Sequence, residues 1–255
     1  MPCKFAPRGR NRRDAHPADF VRTTVYTRAT VEFGRINGAL DMMTLHSYFR
    51  SSAAYRCRIA LNLKGLAHEL AFVHLTKGGG EQHAAAYKAL NPQGLLPTLQ
   101  HDGAVLTQSL AIIEYLEEIA PAPALLPNTP VARAHVRAFA QAIACDLHPI
   151  NNLRVLGYLK GPMGQSQAAV DDWYRHWTKG GLEACEALLG GDWSGPFCCG
   201  ATPGLADICL VPQMFNARRF NTDLTGCPRL TAIDAACAAL PAFAKAAPGA
   251  QPDAS

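Results

Sequence analysis

Between residues 44 and 119 the chain alternates short apolar runs of strand length with helical stretches, and beyond residue 130 no strand-like run returns. That switch constrains the fold more than any other feature. Residues 44–48 (Thr-Leu-His-Ser-Tyr) read as a strand. Ala53–Lys64 has apolar residues at 57, 59, 60, 61 and 63 and reads as a helix stopped by Gly65, with Ser51 or Ser52 placed to cap it. Residues 69–75 form a second expected strand, Gly78-Gly79-Gly80 a turn, and Gln82–Leu90 a short helix. Leu96–Gln100 is a third strand, with Pro97 at its start where no ladder donor is needed. Asp102-Gly103 signals a hairpin into Ala104–Thr107, and Ser109 is placed to cap a helix carrying Leu110, Ile112, Ile113, Leu116 and Ile119 on its apolar side. The order β-α-β-α-β-β-α predicts a small α/β domain with a mixed sheet, since one crossover is helical and one pair is a hairpin.

Pro121, Pro123, Pro127 and Pro130 then mark a linker, placed at 123–130. Val131–Leu159, Gln165–Leu189, Leu205–Arg219 and Pro228–Leu240 all read as helices, which predicts an all-α domain over 131–246. The small, polar residues 247–255 read as a loose tail.

Charge separates the chain differently. The formal charge is +4, and residues 1–41 hold eight basic against four acidic side chains, so residues 42–255 are neutral in sum. A neutral body lacks the concentrated positive field that nucleic acid requires. The basic segment 1–41 reads as a disordered extension, or as sequence upstream of a start at Met42 or Met43. No apolar run reaches the roughly 18–20 residues of a membrane helix, so no membrane partner is expected, and the first twenty residues lack a secretory apolar core. The nine cysteines are odd in number and contain no C-x-x-C, so neither a metal site nor a dithiol motif is legible. They read as reduced, small hydrophobes of a cytoplasmic protein.

Several segments agree in order and spacing with one family. Ser47–Gly65 (SYFRSSAAYRCRIALNLKG), Ala89–Leu99 (ALNPQGLLPTL), Gln108–Glu117 (QSLAIIEYLE) and Cys145–Arg154 (CDLHPINNLR) resemble the zeta-class glutathione transferases. The resemblance covers about residues 42–250. It implies a thioredoxin-like domain at 42–122 followed by a helical domain, bound glutathione, a homodimer, and a cis peptide bond at Pro97 that turns the Leu96 backbone toward glutathione. It also implies cis–trans isomerisation of a small dicarboxylic keto-acid: maleylacetoacetate in tyrosine and phenylalanine breakdown, or maleylpyruvate in gentisate degradation. A non-catalytic glutathione-binding protein of the same fold is a third possibility.

The implied chemistry gives each candidate residue a task. Rotation about an intact double bond is too slow, so a thiolate adds reversibly, the resulting single bond rotates, and the thiolate leaves. Ser51 is the expected sulfur partner at a helix N-terminus, where backbone N–H groups and the dipole favour an anion, and Ser52 lies beside it. Plain capping is the simpler account of either serine. Ala53 stands where the family often has cysteine, and Ser51-Ser52-Ala53-Ala54 fills the place of a thioredoxin C-x-x-C, which removes a protein thiol and disulfide exchange from the chemistry. Gln108 and Ser109 are expected to hold the γ-glutamyl group, and Gln82 or His83 the glycine carboxylate. Arg50, Arg154 and Arg219 are the expected partners of the substrate carboxylates, with Arg218 a weaker candidate. His148 and Asn152, four apart on one expected helix, are assigned to glutathione or substrate, His148 with a possible acid role that Pro149 complicates. Gly204 replaces a usual Ser or Thr cap, leaving Asp207 to reach back to the cap N–H.

Overall fold

The computed structural model describes residues 42–191 and 193–254. The basic extension 1–41 lies outside the described residues.

The first domain is built as its pattern requires. Strand β1 (Met43–Ser47) buries Met43, Leu45 and Ser47 on one face, the two-residue period of a half-buried strand. Helix α1 (Ser52–Lys64) is the crossover that lets β2 (His68–Phe72) pair parallel to β1. The β2 ladder stops at Phe72, short of residue 75, because β1 itself ends at the paired Ser47. The expected glycine turn contains a 3₁₀ turn, Lys77–Gly79, and the stretch expected as one short helix over Gln82–Leu90 divides into a second 3₁₀ turn, Glu81–His83, and α2 (Ala85–Leu90). Strands β3 (Thr98–His101) and β4 (Ala104–Thr107) form an antiparallel hairpin, and the sheet order is β2-β1-β3-β4. Asp102 (φ 48) and Gly103 (φ 73) both have positive φ, the turn whose twist suits a two-residue hairpin.

Helix α3 (Ser109–Ile119) corrects one detail of the sequence expectation. Ser109 is its first residue and not its cap; Gln108 holds the cap position, with φ 69, and makes no side-chain capping bond. Helix α1 is buried nearly all round, against the sheet, α3 and the helical domain, so Ile59, Ala60 and Leu61 join Leu45, Leu99, Ile112 and Leu116 in one core. Buried Lys64 anchors the linker. It pairs with Glu117 and donates to the carbonyls of Ala120 (2.6 Å) and Pro123 (2.7 Å), while Glu117 accepts from the Leu125 N–H.

The helical domain departs from expectation at its first segment. Instead of one helix over 131–159, the chain forms α4 (Pro130–Gln141), a π-helical turn (Ala142–Leu147), the three-residue α5 (His148–Ile150) and α6 (Leu153–Lys160). Asn152 causes the break. Its side-chain oxygen accepts from the N–H groups of Arg154 (3.1 Å) and Val155 (3.2 Å), which caps a new helix in place of continuing the old one. His148 and Asn152 therefore do not share a helix face.

Helices α7 (Gln167–Leu188), α8 (Leu205–Arg219) and α9 (Pro228–Ala238) follow the sequence pattern, and α10 (Pro241–Ala246) adds one more. Asp207 accepts from Gly204 N–H (2.9 Å) and Cys198 N–H (2.8 Å), as the reversed half of a capping box. A Cβ at Gly204 would lie 2.7 Å from the Leu125 carbonyl oxygen, so close packing on the linker favours glycine here.

The tail is not loose through residue 254. Gln251 is buried and donates to the carbonyls of Lys245 and Ala247, and Asp253 accepts from the Phe49 N–H at 2.9 Å. Among the described residues no helix is long and apolar enough to cross a membrane.

Candidate active site

A cavity of about 800 Å³ opens where α1, α3 and the turns at 75–83 face α5, α6 and α8. Its size falls in the upper range of small-molecule sites. All thirteen residues expected in the site line it: Arg50, Ser51, Ser52, Gln82, His83, Leu96, Pro97, Gln108, Ser109, His148, Asn152, Arg154 and Arg219.

The β1–α1 turn places the first group. Ser51 is the N-cap of α1, and its hydroxyl oxygen accepts from the Ala54 N–H at 3.2 Å. That bond uses one lone pair and leaves the hydroxyl proton to donate into the cavity, so capping and a second role are compatible. Ser52 is buried and accepts from the Asn216 amide of α8. Arg50 is exposed, donates to the Tyr48 hydroxyl at 3.0 Å and lies over the Phe49 ring.

Along the same cavity, the Leu96–Pro97 peptide is cis, as the family resemblance implies. Gln82 is buried; its amide donates to the Leu75 carbonyl (3.3 Å) and lies 3.2 Å from His83 Nε2, and its own oxygen has no partner. Gly80, at φ 103, has a backbone conformation that favours glycine, and a Cβ there would also press on the Gln82 amide at 2.5 Å. Gln108 donates to Gln93 Oε1 at 2.8 Å.

The helical wall contributes longer side chains. Half-buried His148 is pushed down to about 3 by burial first and then by the Arg56 and Arg154 charges, so it is neutral at ordinary pH. With its oxygen committed to capping α6, Asn152 can offer the cavity only amide N–H groups. Arg154 is exposed at the cavity edge. Of the two late arginines, Arg219 lines the cavity, and Arg218 instead pairs with Asp234 at 2.6 Å. Arg219 lies over the Phe220 ring, which stacks on Tyr174; burial, with the Arg50 charge adding to it, holds its pKa below the ordinary value against the pull of Tyr174.

Asn216 and Arg56 are among the lining residues absent from the sequence expectation. Asn216, one turn before Arg219 on α8, holds Ser52. Arg56 is 1% exposed, lies in the middle of α1 and donates to Ser109 Oγ at 3.2 Å. A charge flanked by buried apolar neighbours in a helix was the available signal. Four arginines thus line the cavity (Arg50, Arg56, Arg154 and Arg219), and no aspartate or glutamate does among the described residues.

Residues 50–119 match the glutathione S-transferase N-terminal domain model. A probable maleylacetoacetate isomerase from Vibrio cholerae is 50% identical over 83% of this chain and 98% of its own length. The chain belongs to the glutathione S-transferase family. Its zeta class is shown by the holo structure of a bacterial zeta-class maleylpyruvate isomerase, 50% identical, covering 83% of this chain and 100% of that one with a TM-score of 0.81. A maleylacetoacetate isomerase from Anaeromyxobacter dehalogenans, solved with dicarboxyethyl glutathione and citrate in its active site, is 44% identical over 84% of this chain and 99% of that one, with a TM-score of 0.73. The chain is thus a close relative of both isomerases. Within the zeta-class frame, α1 and α3 carry the serine-tipped ends of the cavity, and the arginines divide between the walls, Arg50 and Arg56 on the first domain and Arg154 and Arg219 on the helical domain.

Proposed function

We propose that this chain is a glutathione-dependent cis–trans isomerase acting on maleylacetoacetate. The observation that carries the reading is a cavity lined, among the described residues, by four arginines and no carboxylate, beside a helix N-terminus capped by a serine whose hydroxyl proton can donate. The residues fit a peptide with two carboxylates and amide N–H groups. Ser109 sits at the N-terminus of α3, and the unpartnered Gln82 oxygen accepts an N–H. As Gln82 is oriented, His83 is the better partner for the glycine carboxylate; the Gln82 amide occupies its Nε2, leaving Nδ1 as the donor.

Bound glutathione supplies a thiol whose reversible addition to the alkene makes the bond rotatable. Ser51 donates to the sulfur and, with the α1 dipole, favours its anion. Arg50, Arg154 and Arg219 meet the carboxylates of the diacid, in pairs of N–H bonds that fix its orientation. Neutral His148 and the Asn152 amide donate to the carbonyl oxygens on which charge develops. With one carboxylate held, the rest of the diacid turns about the new single bond.

Two further elements belong to this reading. A cytoplasmic setting is supported by eight free cysteines among the described residues, and a homodimer by large apolar side chains in solvent such as Phe72, Val105 and Val131. Light scattering checks the dimer, which requires a mass of twice the chain.

Maleylpyruvate is the second reading, favoured by a maleylpyruvate isomerase structure at the same 50% identity as the maleylacetoacetate relative. Steady-state assays on both diacids with glutathione separate them. The proposal expects the higher kcat/KM on maleylacetoacetate; a much higher value on maleylpyruvate selects the second reading, and turnover of neither rejects both.

A further inference from the structure

Helix α1 buries two arginines, two residues apart, and treats them differently. Arg58 is 2% exposed and saturated: it donates to the carbonyls of Ala246 (3.0 Å), Tyr48 (3.3 Å) and Phe49 (3.0 Å) and to Ser47 Oγ (2.9 Å). Arg56 is 1% exposed, yet among the described residues its single side-chain bond is to Ser109 Oγ, and its Nε and Nη2 have no partner there. No carboxylate pairs with it among the described residues. A buried guanidinium without a counter-charge is costly, so its position has to be justified by something the fold alone does not contain.

The bond to Ser109 shows what that is. Arginine can only donate, so Ser109 Oγ must accept, and the hydroxyl proton is left to point elsewhere. Ser109 lines the cavity at the first position of α3, whose opening N–H groups lack helical partners. The outcome is a hydroxyl fixed as a donor, backed by a buried positive charge, at a helix N-terminus. The Arg56 charge is felt across the cavity, where it helps to hold His148 neutral.

We propose that Arg56 is a positioning residue for the α-carboxylate of the γ-glutamyl group, acting through Ser109: it commits the hydroxyl to donation and supplies the anion's counter-charge from behind. This rests on glutathione as the bound thiol. A carboxylate seated there turns an uncompensated buried cation into one half of a pair, with Ser109 as the bridge.

The test is calorimetric binding of glutathione and of 4-aminobutyryl-cysteinyl-glycine, the analogue that lacks this carboxylate. Wild type is expected to prefer glutathione by about 30-fold or more, the scale of a charge-assisted bond. Arg56→Met should weaken glutathione about 10- to 100-fold and change the analogue less than about 2-fold, while Arg56→Lys restores part of the preference. Equal weakening of both ligands, or of neither, overturns the proposal. Should Arg56→Met fail to fold, Arg56→Gln and Ser109→Ala are combined in a cycle. Loss of most of the Arg56 effect in the Ser109→Ala background supports action through Ser109, and an undiminished effect overturns it. Wild type that binds neither ligand rejects glutathione itself. Equal binding of both by wild type leaves glutathione standing and sinks only the role of Arg56.

Discussion

The two walls of the cleft are made by different means. The wall from the first domain is built mainly of helix ends: the N-termini of α1 and α3, a glycine-rich turn, and hydroxyl and amide groups held by hydrogen bonds within that domain, with Arg50 at its rim and Arg56 buried behind Ser109. The helical wall projects long or aromatic side chains from α5, α6 and α8, with Arg154 and Arg219 reaching from exposed positions. The first arrangement suits a peptide thiol of fixed shape. The second suits a flexible diacid, because charge tolerates small changes of position better than neutral hydrogen bonds do.

If the walls divide the work in this way, substitutions on each side affect different constants. The largest effect belongs to Ser51→Ala, expected to lower kcat about 100-fold or more while the glutathione Kd moves less than about 3-fold. The same change removes the α1 cap and costs about 1 kcal/mol of stability, measurable by denaturant melts. A loss of stability without loss of turnover would reduce Ser51 to a cap.

Arg154→Ala and Arg219→Ala, made singly, should each raise the diacid KM about 10- to 100-fold, with glutathione affinity unchanged within about 2-fold in titrations. Equal damage to both ligands would dissolve the distinction between the walls.

His148→Gln sharpens the comparison by its smallness. A neutral imidazole is not a cationic acid, so kcat should fall less than about 5-fold and the pH–rate profile should keep its shape. The sign for stability follows from linkage. The folded pKa, about 3, lies below the ordinary 6.5, so the contribution of neutral His148 is complete above pH 6.5 and is lost as pH falls toward 3. Urea melts at pH 7 and pH 5 should therefore show a smaller acid loss in His148→Gln than in wild type.

The mildest change is Asp253→Ala. It removes the acceptor of the Phe49 N–H beside Arg50 and should lower stability by about 1 kcal/mol, with a slight rise in diacid KM.

Legibility followed the same division. The first domain's strands and helices announce themselves through two-residue and helical periods, and its expected site residues lie within four short segments, 50–52, 82–83, 96–97 and 108–109. The helical wall was read less well. A periodic pattern over 131–159 concealed a break, since a side chain that caps a helix from inside a run, as Asn152 does, leaves the apolar period intact. A hydroxyl at Ser109 suggests a cap, but the backbone turns one residue earlier, at Gln108. The tail looked loose because its composition is small and polar, yet two side chains, Gln251 and Asp253, tie it down. A charge among apolar neighbours on α1 marks Arg56 and Arg58 alike, but sequence does not say which of two nearby charges finds partners.

The central claim is that glutathione acts here as a returning catalyst. The direct measurement is an accounting of thiol during turnover: a large excess of maleylacetoacetate is incubated with the protein and a small amount of glutathione, and both product and glutathione are quantified by NMR. The account predicts many equivalents of the trans product per glutathione, with all of the glutathione recovered unmodified and no reaction when it is omitted. Isomerisation without glutathione, or one glutathione consumed for each diacid, would contradict it.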